Sequence, residues 1–343
     1  MVFLLIMQSH AIVRCGCQRL VGAIFQGMVL MQRKRFFCAG AYPALQRTLF
    51  MPSFVPGTVN RSDSVTLNAA GKAVNAARAL KRLGGDPVLG GFSGGSSGRD
   101  IAGLLQAEGL DCRGFLAVDA PVRICQTLLP SDGSPFTELV EEGPQLDAAA
   151  WEALVAHCCA CIRGIDDGAV ILAGTMPQHA SLEFYPALIR AAQVPVILDT
   201  SGPALSAALS AAPDVVKINA DEVRSSVGQD GEAGVIRLSR RLLAAGAGSV
   251  GITQGAQTAF LVTSAGAWAY EVPAVKVVSA LGSGDCVNAG MALALAAGQS
   301  LPEAFAFGLA CGTANAEVAE PGGIDAERVA VLLPKIKMQA LRL

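Results

Sequence analysis

Three times in succession this chain writes a short, unbroken apolar run, a turn, and then a helical stretch. Val170-Ile171-Leu172-Ala173 leads through Gly174-Thr175-Met176-Pro177 to a helix expected over Leu182 to Ala192. Val196-Ile197-Leu198-Asp199 leads to one over Ala204 to Ala211, and Val215 to Asn219 to one starting at Asp221. Earlier, Val88-Leu89-Gly90-Gly91-Phe92 is followed by a Gly/Ser loop and a helix from Asp100 to Glu108. Strands that are apolar on both sides and joined through helices belong to a parallel sheet covered on both faces. The expected class is therefore α/β with a mostly parallel central sheet. Such sheets bind ligands beyond the carboxyl ends of their strands. Thr175, Asp199, Asn219 and Thr253 stand at those ends. Two regions, Arg47 to Leu67 and Val122 to Val140, are strand-like without intervening helices, and the pattern allows them an antiparallel excursion from the core.

The chain has 343 residues, enough for one large or two small domains. Hydrophobic residues make up 52% and charged residues 16%, and mean hydropathy is +0.46, so a membrane protein has to be considered. The best candidate span, Leu20 to Met31, has about half of the ~20 apolar residues a crossing needs and includes Gln26. Alanine-rich helices, rather than long Leu, Ile or Phe runs, supply much of the hydropathy. A soluble, cytoplasmic protein with no membrane partner is expected. The formal net charge of −2 and the lack of a basic block in the body argue against a nucleic-acid partner.

The ten cysteines lie mostly in apolar contexts of a chain too large to need disulfide staples, and read as reduced thiols. The densest group, His157-Cys158-Cys159-Ala160-Cys161, would point in different directions on a helix, and no second cluster has zinc-ligand spacing. No Asp or Glu precedes Asp63, while Arg14, Arg19, Arg33, Lys34 and Arg35 are basic. That bias suits a transit peptide, but the apolar run Val2 to Met7 begins without a charged segment ahead of it. Residues 1–33 are expected to be an extension outside the fold, with Met28 or Met31 as an alternative start.

The chemistry concentrates in Leu281-Gly282-Ser283-Gly284-Asp285, which runs directly into the apolar stretch Cys286 to Leu295. Backbone amides freed at a helix N-terminus carry partial positive charge, and small residues let an anion approach them. A carboxylate there would repel a resting phosphate. Asp285 makes sense if it takes a proton from a hydroxyl while the neighbouring amides hold the phosphoryl group that hydroxyl attacks. The alternative is a glycine-rich turn with Asp as an ordinary helix cap.

Two further segments bear on that choice: Asn68 to Gly84, with Gly71-Lys72-Ala73-Val74-Asn75 inside it, and Val215-Val216-Lys217-Ile218-Asn219-Ala220-Asp221-Glu222. In chain order with the Gly-Ser-Gly-Asp turn, they make the sequence resemble the PfkB branch of the ribokinase-like carbohydrate kinases, on its 1-phosphofructokinase and tagatose-6-phosphate kinase side. The resemblance covers the chain from about Phe36 to Lys335. It implies a three-layer sandwich with a small β-sheet lid, the kinase domain spanning residues 34–337 and the lid drawn from about 45–67 and 121–140. In that family the lid often mediates dimer contact, so a homodimer through it is an expectation.

The resemblance also implies roles. Asp285 matches the catalytic base, and the amides of Gly282, Ser283 and Gly284 the anion hole, with Ser283 where Ala is commoner. Asn219 and Glu222 match the family's Asn-x-x-Glu pattern for magnesium, whose oxygen ligands suit that ion; read by themselves they are a helix cap with a first-turn acid. Lys217 aligns with a lysine near the nucleotide phosphates, its alternative being a solvated surface charge. Thr253 and Gly255 align with the nucleotide-binding turn, and Asn315 with the adenine pocket of ATP. On the sugar side, Gly71, Lys72 and Asn75 stand at positions that contact the sugar or its phosphate. Arg123 matches a lid arginine suited to a substrate phosphate. Arg61, in Pro56-Gly57-Thr58-Val59-Asn60-Arg61, fits the Pro-Gly-Glu-Val-Asn-Arg pattern, and Phe136-Thr137-Glu138-Leu139 resembles another stretch of the phosphofructokinase branch.

Two departures stand out. The usual Asn-Pro-Ala-Ile-Asp reads Tyr42-Pro43-Ala44-Leu45-Gln46, so Gln46 replaces a carboxylate that binds sugar hydroxyls. The usual Gly-Gly-Lys-Gly reads Ala70-Gly71-Lys72-Ala73. The expected activity is ATP- and Mg2+-dependent phosphorylation of a phosphorylated ketohexose, fructose 1-phosphate first, with tagatose 6-phosphate or fructose 6-phosphate also open. Alternatives are a kinase of another sugar or nucleoside-like alcohol, or a catalytically weak sensor of sugar phosphates or nucleotides.

Overall fold

The structure, a computed structural model, describes residues 34–219 and 231–341. Ten strands form the central sheet, in the order β14-β13-β12-β11-β10-β9-β8-β1-β4-β5. Seven of these pair in parallel: β5 (Asp111–Val118), β4 (Asp86–Gly94), β1 (Arg35–Ala39), β8 (Gly168–Ala173), β9 (Val196–Asp199), β10 (Val215–Asn219) and β11 (Ser249–Thr253). The edge is then extended antiparallel by β12 (Ala259–Thr263), β13 (Ala267–Glu271) and β14 (Lys337–Leu341). The folded unit therefore reaches Leu341, a few residues beyond the expected end at 337, because β14 takes up the free ladder of β13.

Two apolar cores explain the continuous apolar strands. On one face Phe36, Cys38, Ile171 and Ile197 pack with α1 (Lys72–Arg82), α7 (Ser283–Ala296), α8 (Leu301–Ala316) and α9 (Ala326–Leu332). On the other, Phe37, Val170, Leu172 and Leu198 pack with α3 (Ala148–Arg163), α4 (Phe184–Ala191), α5 (Gly202–Leu209) and α6 (Gly231–Ala244). Alternation along each strand sends successive side chains to opposite cores. It puts Asp199 on the α1/α7 face with Ile197, and Lys217 there with Val215. Helix α7 is buried from Asp285 to Ala294 and needs no polar face.

Helix α2 (Gly95–Ala107) differs from expectation, because the Gly-Ser-Ser-Gly run is its first turn rather than a loop. Tertiary packing overrides the low helix propensity there. A Cβ on Gly95 would lie 2.7 Å from Pro121 Cα, and Ser97 Oγ donates to Val122 O at 2.6 Å.

The two regions without helices form a separate four-stranded sheet, β3-β2-β6-β7, from β2 (Ala44–Met51), β3 (Ser64–Ala70), β6 (Ile124–Pro130) and β7 (Thr137–Val140). Each half is antiparallel, but β2 pairs parallel with β6, so the sheet is mixed rather than wholly antiparallel. Val65, Leu67 and Leu139 are exposed on it.

Among the described residues no helix is long and apolar enough to cross a membrane. The Leu20–Met31 candidate and the rest of residues 1–33 lie outside the described residues. The eight described cysteines are free thiols, and no described group of His, Cys, Asp and Glu is placed to hold a metal. His157 is taken up by a 2.9 Å contact between its Nε2 and Arg113 O, and Cys158 and Cys159 are packed into the core.

Candidate active site

The first turn of α7 is built around two glycines. Gly282 caps the helix at φ +80°, a left-handed conformation in which a Cβ would also lie 2.7 Å from Pro321 Cβ. A Cβ on Gly284 would lie 2.5 Å from Lys217 Nζ, so glycine there lets an ammonium sit against the backbone of the turn. Lys217 is 3% exposed, which replaces the alternative of a solvated surface charge with a buried cation beside the helix N-terminus. Together these features make a cradle suited to an anion: small residues, helix-terminal amides (of which Ser283 N already donates to Ala280 O at 3.2 Å) and a fixed positive charge.

Lys217 is held by Asp199, a fully buried carboxylate at the end of β9. Lys217 Nζ donates to Asp199 Oδ2 at 2.9 Å, Lys72 Nζ to Oδ1 at 2.7 Å, and Asn288 Nδ2 to Oδ2 at 2.8 Å. Burial alone would raise this carboxyl, but Lys217 and Lys72 outweigh it, and the hydrogen bonds from Lys72 and Asn288 add to them, holding Asp199 down to about 2. It is an anion under any ordinary condition.

Asp285 is the opposite case. It is 6% exposed and accepts from Asn75 Nδ2 at 2.8 Å. Burial, and then repulsion from Asp199, push its carboxyl up to about 7, against the pull of the Asn75 bond and of Lys217 and Lys72. Two carboxylates in one site are thus driven apart, one a permanent charge and the other a group that exchanges a proton near neutrality.

Asn75 is itself aimed. Arg78, one turn along α1, donates from Nη1 to Asn75 Oδ1 at 3.4 Å, leaving the Asn75 amide nitrogen for Asp285. Arg78 is locked by paired bonds to Glu108 (2.6 and 2.8 Å), and by bonds to Pro321 O (2.8 Å) and Ala69 O (3.0 Å). Gly71 is the N-cap of α1, against the Tyr42-Pro43 backbone. So Lys72 and Asn75, expected at a sugar, meet the two carboxylates of the floor in this structure.

Asn219 and Thr253 pair in register across β10 and β11, at the carboxyl edge, with exposed Gly255 just beyond. Glu222 lies outside the described residues. Asn315 is fully buried, and its amide faces inward: Nδ2 donates to Leu281 O (2.8 Å) and Ser283 Oγ (3.1 Å), while Oδ1 accepts from Gly322 N (2.8 Å) and Cys286 Sγ (3.3 Å). With both donors and its acceptor engaged, Asn315 ties down the 281–283 turn.

On the lid, Gln46 Nε2 donates to Thr127 Oγ1 at 2.8 Å, fixing the amide across β2 and β6. Arg123, just before β6, is half-buried, and its Nε has no partner among the described residues. Arg61 is exposed in the β2–β3 connection.

Sequence reasoning noted Asp199 only as a strand-end residue and missed Asn288 and Arg78. The i, i+3 spacing of Asp285 to Asn288 and of Asn75 to Arg78 was a signal that could have found the last two. Nothing local announces that β9 delivers Asp199 between two lysines.

Comparison with known proteins bears directly on this arrangement. The family described as pfkB family carbohydrate kinase matches residues 43–326. The chain is similar to 1-phosphofructokinase of Escherichia coli (strain K12), 30% identical over 302 residues, covering 87% of this chain and 96% of that one. It is similar in structure to phosphofructokinase-2 from Escherichia coli in complex with potassium, with a TM-score of 0.78 and 26% identity over 88% of this chain and 98% of the other. It shares its fold with ribokinase from Thermotoga maritima, at a TM-score of 0.69 and 17% identity over 88% and 99% of the two chains. A ribokinase-like fold, a family match over most of the sequence and a buried acid beside a helix-terminal anion cradle converge: the chain belongs to the pfkB family of carbohydrate kinases, phosphotransferases that act on sugars.

Proposed function

We propose that this kinase transfers a phosphoryl group from ATP to a hydroxyl of a phosphorylated ketohexose, with fructose 1-phosphate as the first candidate. The observation that carries the reading is the pairing of Asp285, raised to about 7, with the anion cradle of Gly282, Ser283, Gly284 and Lys217. The relative named 1-phosphofructokinase supports the choice of sugar.

In this reading Asp285 accepts the proton of the attacking hydroxyl. That hydroxyl oxygen forms a new bond to phosphorus as the bond from phosphorus to the departing ADP oxygen breaks. The turn amides and Lys217 stabilise the charge on the phosphoryl oxygens. Asn75 holds the Asp285 carboxylate in line, and Asn315 keeps the turn in shape. Asn219, Thr253 and Gly255 border the nucleotide side, and the oxygens of Asn219 and Glu222 suit magnesium, which neutralises phosphate charge when bound. The fit to a nucleotide rests on the Gly284 backbone, which any Cβ would close against Lys217. On the sugar side, Lys72 and Gly71 lie at the floor, Gln46 offers its carbonyl, and Arg123 and Arg61 hold the phosphate the substrate already carries. The kinase domain is taken to span residues 34 to 341, with the small sheet as lid. The exposed apolar residues Val65, Leu67 and Leu139 are its proposed homodimer contact.

A second reading, fructose 6-phosphate, is favoured by the likeness to phosphofructokinase-2 from Escherichia coli in complex with fructose-6-phosphate. Steady-state kinetics with ATP and a panel of fructose 1-phosphate, fructose 6-phosphate, tagatose 6-phosphate, fructose and ribose separates them. Highest kcat/KM for fructose 1-phosphate is expected. A preference for a free sugar would overturn the phosphosugar assignment, and no turnover with binding retained would favour the sensor.

A further inference from the structure

Helix α7 is apolar along its buried length except at two positions, Asp285 and Asn288. Asn288 is fully buried, three residues on from Asp285. Its Nδ2 shares Asp199 Oδ2 with Lys217 Nζ, at 2.8 and 2.9 Å. Its Oδ1 is buried as well and accepts no hydrogen bond from any described residue. Buried polar atoms are almost always paired, and an apolar side chain would occupy this place without leaving an orphan. An acceptor kept unpaired in one state calls for another state that uses it.

The position of Lys217 supplies that state. Its ammonium stands between Asp199 and the backbone of Gly284, so it faces both a resting partner and the place where phosphoryl charge develops. Turning fully to the phosphoryl group removes from buried Asp199 one of its two cations, a costly change for an enclosed carboxylate. Lys72 remains on Oδ1, and on Oδ2 only Asn288 remains.

We propose that Asn288 is a positioning residue for phosphoryl transfer: it keeps Asp199 hydrogen-bonded while Lys217 turns from Asp199 to the phosphoryl group, and its unpaired Oδ1 accepts an ammonium N–H during that turn. The inference rests on the kinase reading given above. It places in the helix core a group that the Gly-Ser-Gly-Asp turn alone does not reveal.

The test is a double-mutant cycle on the full chain with the sugar phosphate found best in the substrate panel, each variant checked for folding by its thermal melt. Asn288→Leu keeps the branching at Cγ while removing both polar atoms, and is expected to lower kcat about tenfold, leaving KM for the sugar phosphate within roughly twofold. In a Lys217→Met background, the same substitution should change kcat by less than about twofold, because the lysine it serves is gone. If Asn288→Leu does not fold, Asn288→Ser carries the same cycle. Wild-type kcat in Asn288→Leu or in a folded Asn288→Ser overturns the proposal. So does an equal loss in both backgrounds, the mark of a packing defect. Absence of any ATP-dependent turnover in the wild-type protein would instead overturn the kinase reading, and this inference with it.

Discussion

The floor of the site and its lid are built in contrasting ways. On the floor, Asp199, Lys217, Asn75, Asp285 and Asn288 are all buried, and strand register or helix spacing sets each of them. On the lid, Arg61 is exposed, Arg123 is half-buried with an Nε unpaired among the described residues, and Gln46 is tied to Thr127 by a hydrogen bond. A buried, mutually bonded set is pre-organised and costs little to arrange at the moment of reaction. Under the proposed function, the difference teaches that the buried layer would hold the chemistry, while the choice of sugar would fall to the small sheet.

That contrast can be broken most forcefully from the floor. Asp285→Asn is expected to lower kcat by roughly two to four orders of magnitude while ATP affinity, measured by titration calorimetry, stays close to wild type. Retention of more than about a tenth of the activity would remove Asp285 from the role of base. In the unaltered protein, turnover at saturating substrate should rise with pH through about 7, as the base ionises. A rate that is flat from pH 5 to 8 would contradict this.

The lid should answer with smaller effects that show in KM. A charge-assisted contact is worth about 1.5 to 3 kcal/mol, or roughly one to two decades. Arg123→Ala should raise KM for the sugar phosphate by about that factor and shrink its advantage over the free sugar, with kcat for the free sugar unchanged. Gln46→Asp should have a gentler effect, a few-fold gain or broadening in the use of fructose phosphates. A large kcat loss from either lid change would erase the division between the two regions.

The smallest expected effect is on stability, and its two halves have opposite signs. Asp199, lowered from 3.8 to about 2, contributes stability that is present above about pH 4 and is lost as pH falls through 2. Asp285, raised from 3.8 to about 7, contributes stability that is fully present below about pH 4 and is lost as pH rises through 7. The midpoint of thermal unfolding should therefore decline between pH 5 and 8 more in the wild type than in Asp285→Asn. Equal slopes would show that burial of Asp285 carries no such cost.

Much of this molecule could be read from local signals. Val196–Asp199 and Val215–Asn219 occupy the positions their apolar runs suggested, because a strand buried on both faces has little freedom in where it begins and ends. The Gly-Ser-Gly-Asp turn declared itself through small residues next to a lone acid, a combination that a pure packing turn does not need. The first turn of α2 was misread as a loop, since glycine and serine are weak helix formers and only the closeness of Pro121 and Val122 favours them there.

What the amino-acid sequence determined by itself was the layered α/β plan, the glycine-rich turn at the start of α7 and the kinase family, because periodicity, turn chemistry and motif order are properties of neighbouring residues. What only the tertiary structure decided was the charge state of the site. Asp199 gathers Lys72, Lys217 and Asn288 from 127, 18 and 89 residues away, and Asp285 is raised first by its burial and then by the field of Asp199. Electrostatic energy depends on distance and burial in space rather than on separation along the chain. A carboxylate that reads as one more strand-end acid in the sequence becomes, once folded, the centre that holds both lysines and acts on the Asp285 carboxyl.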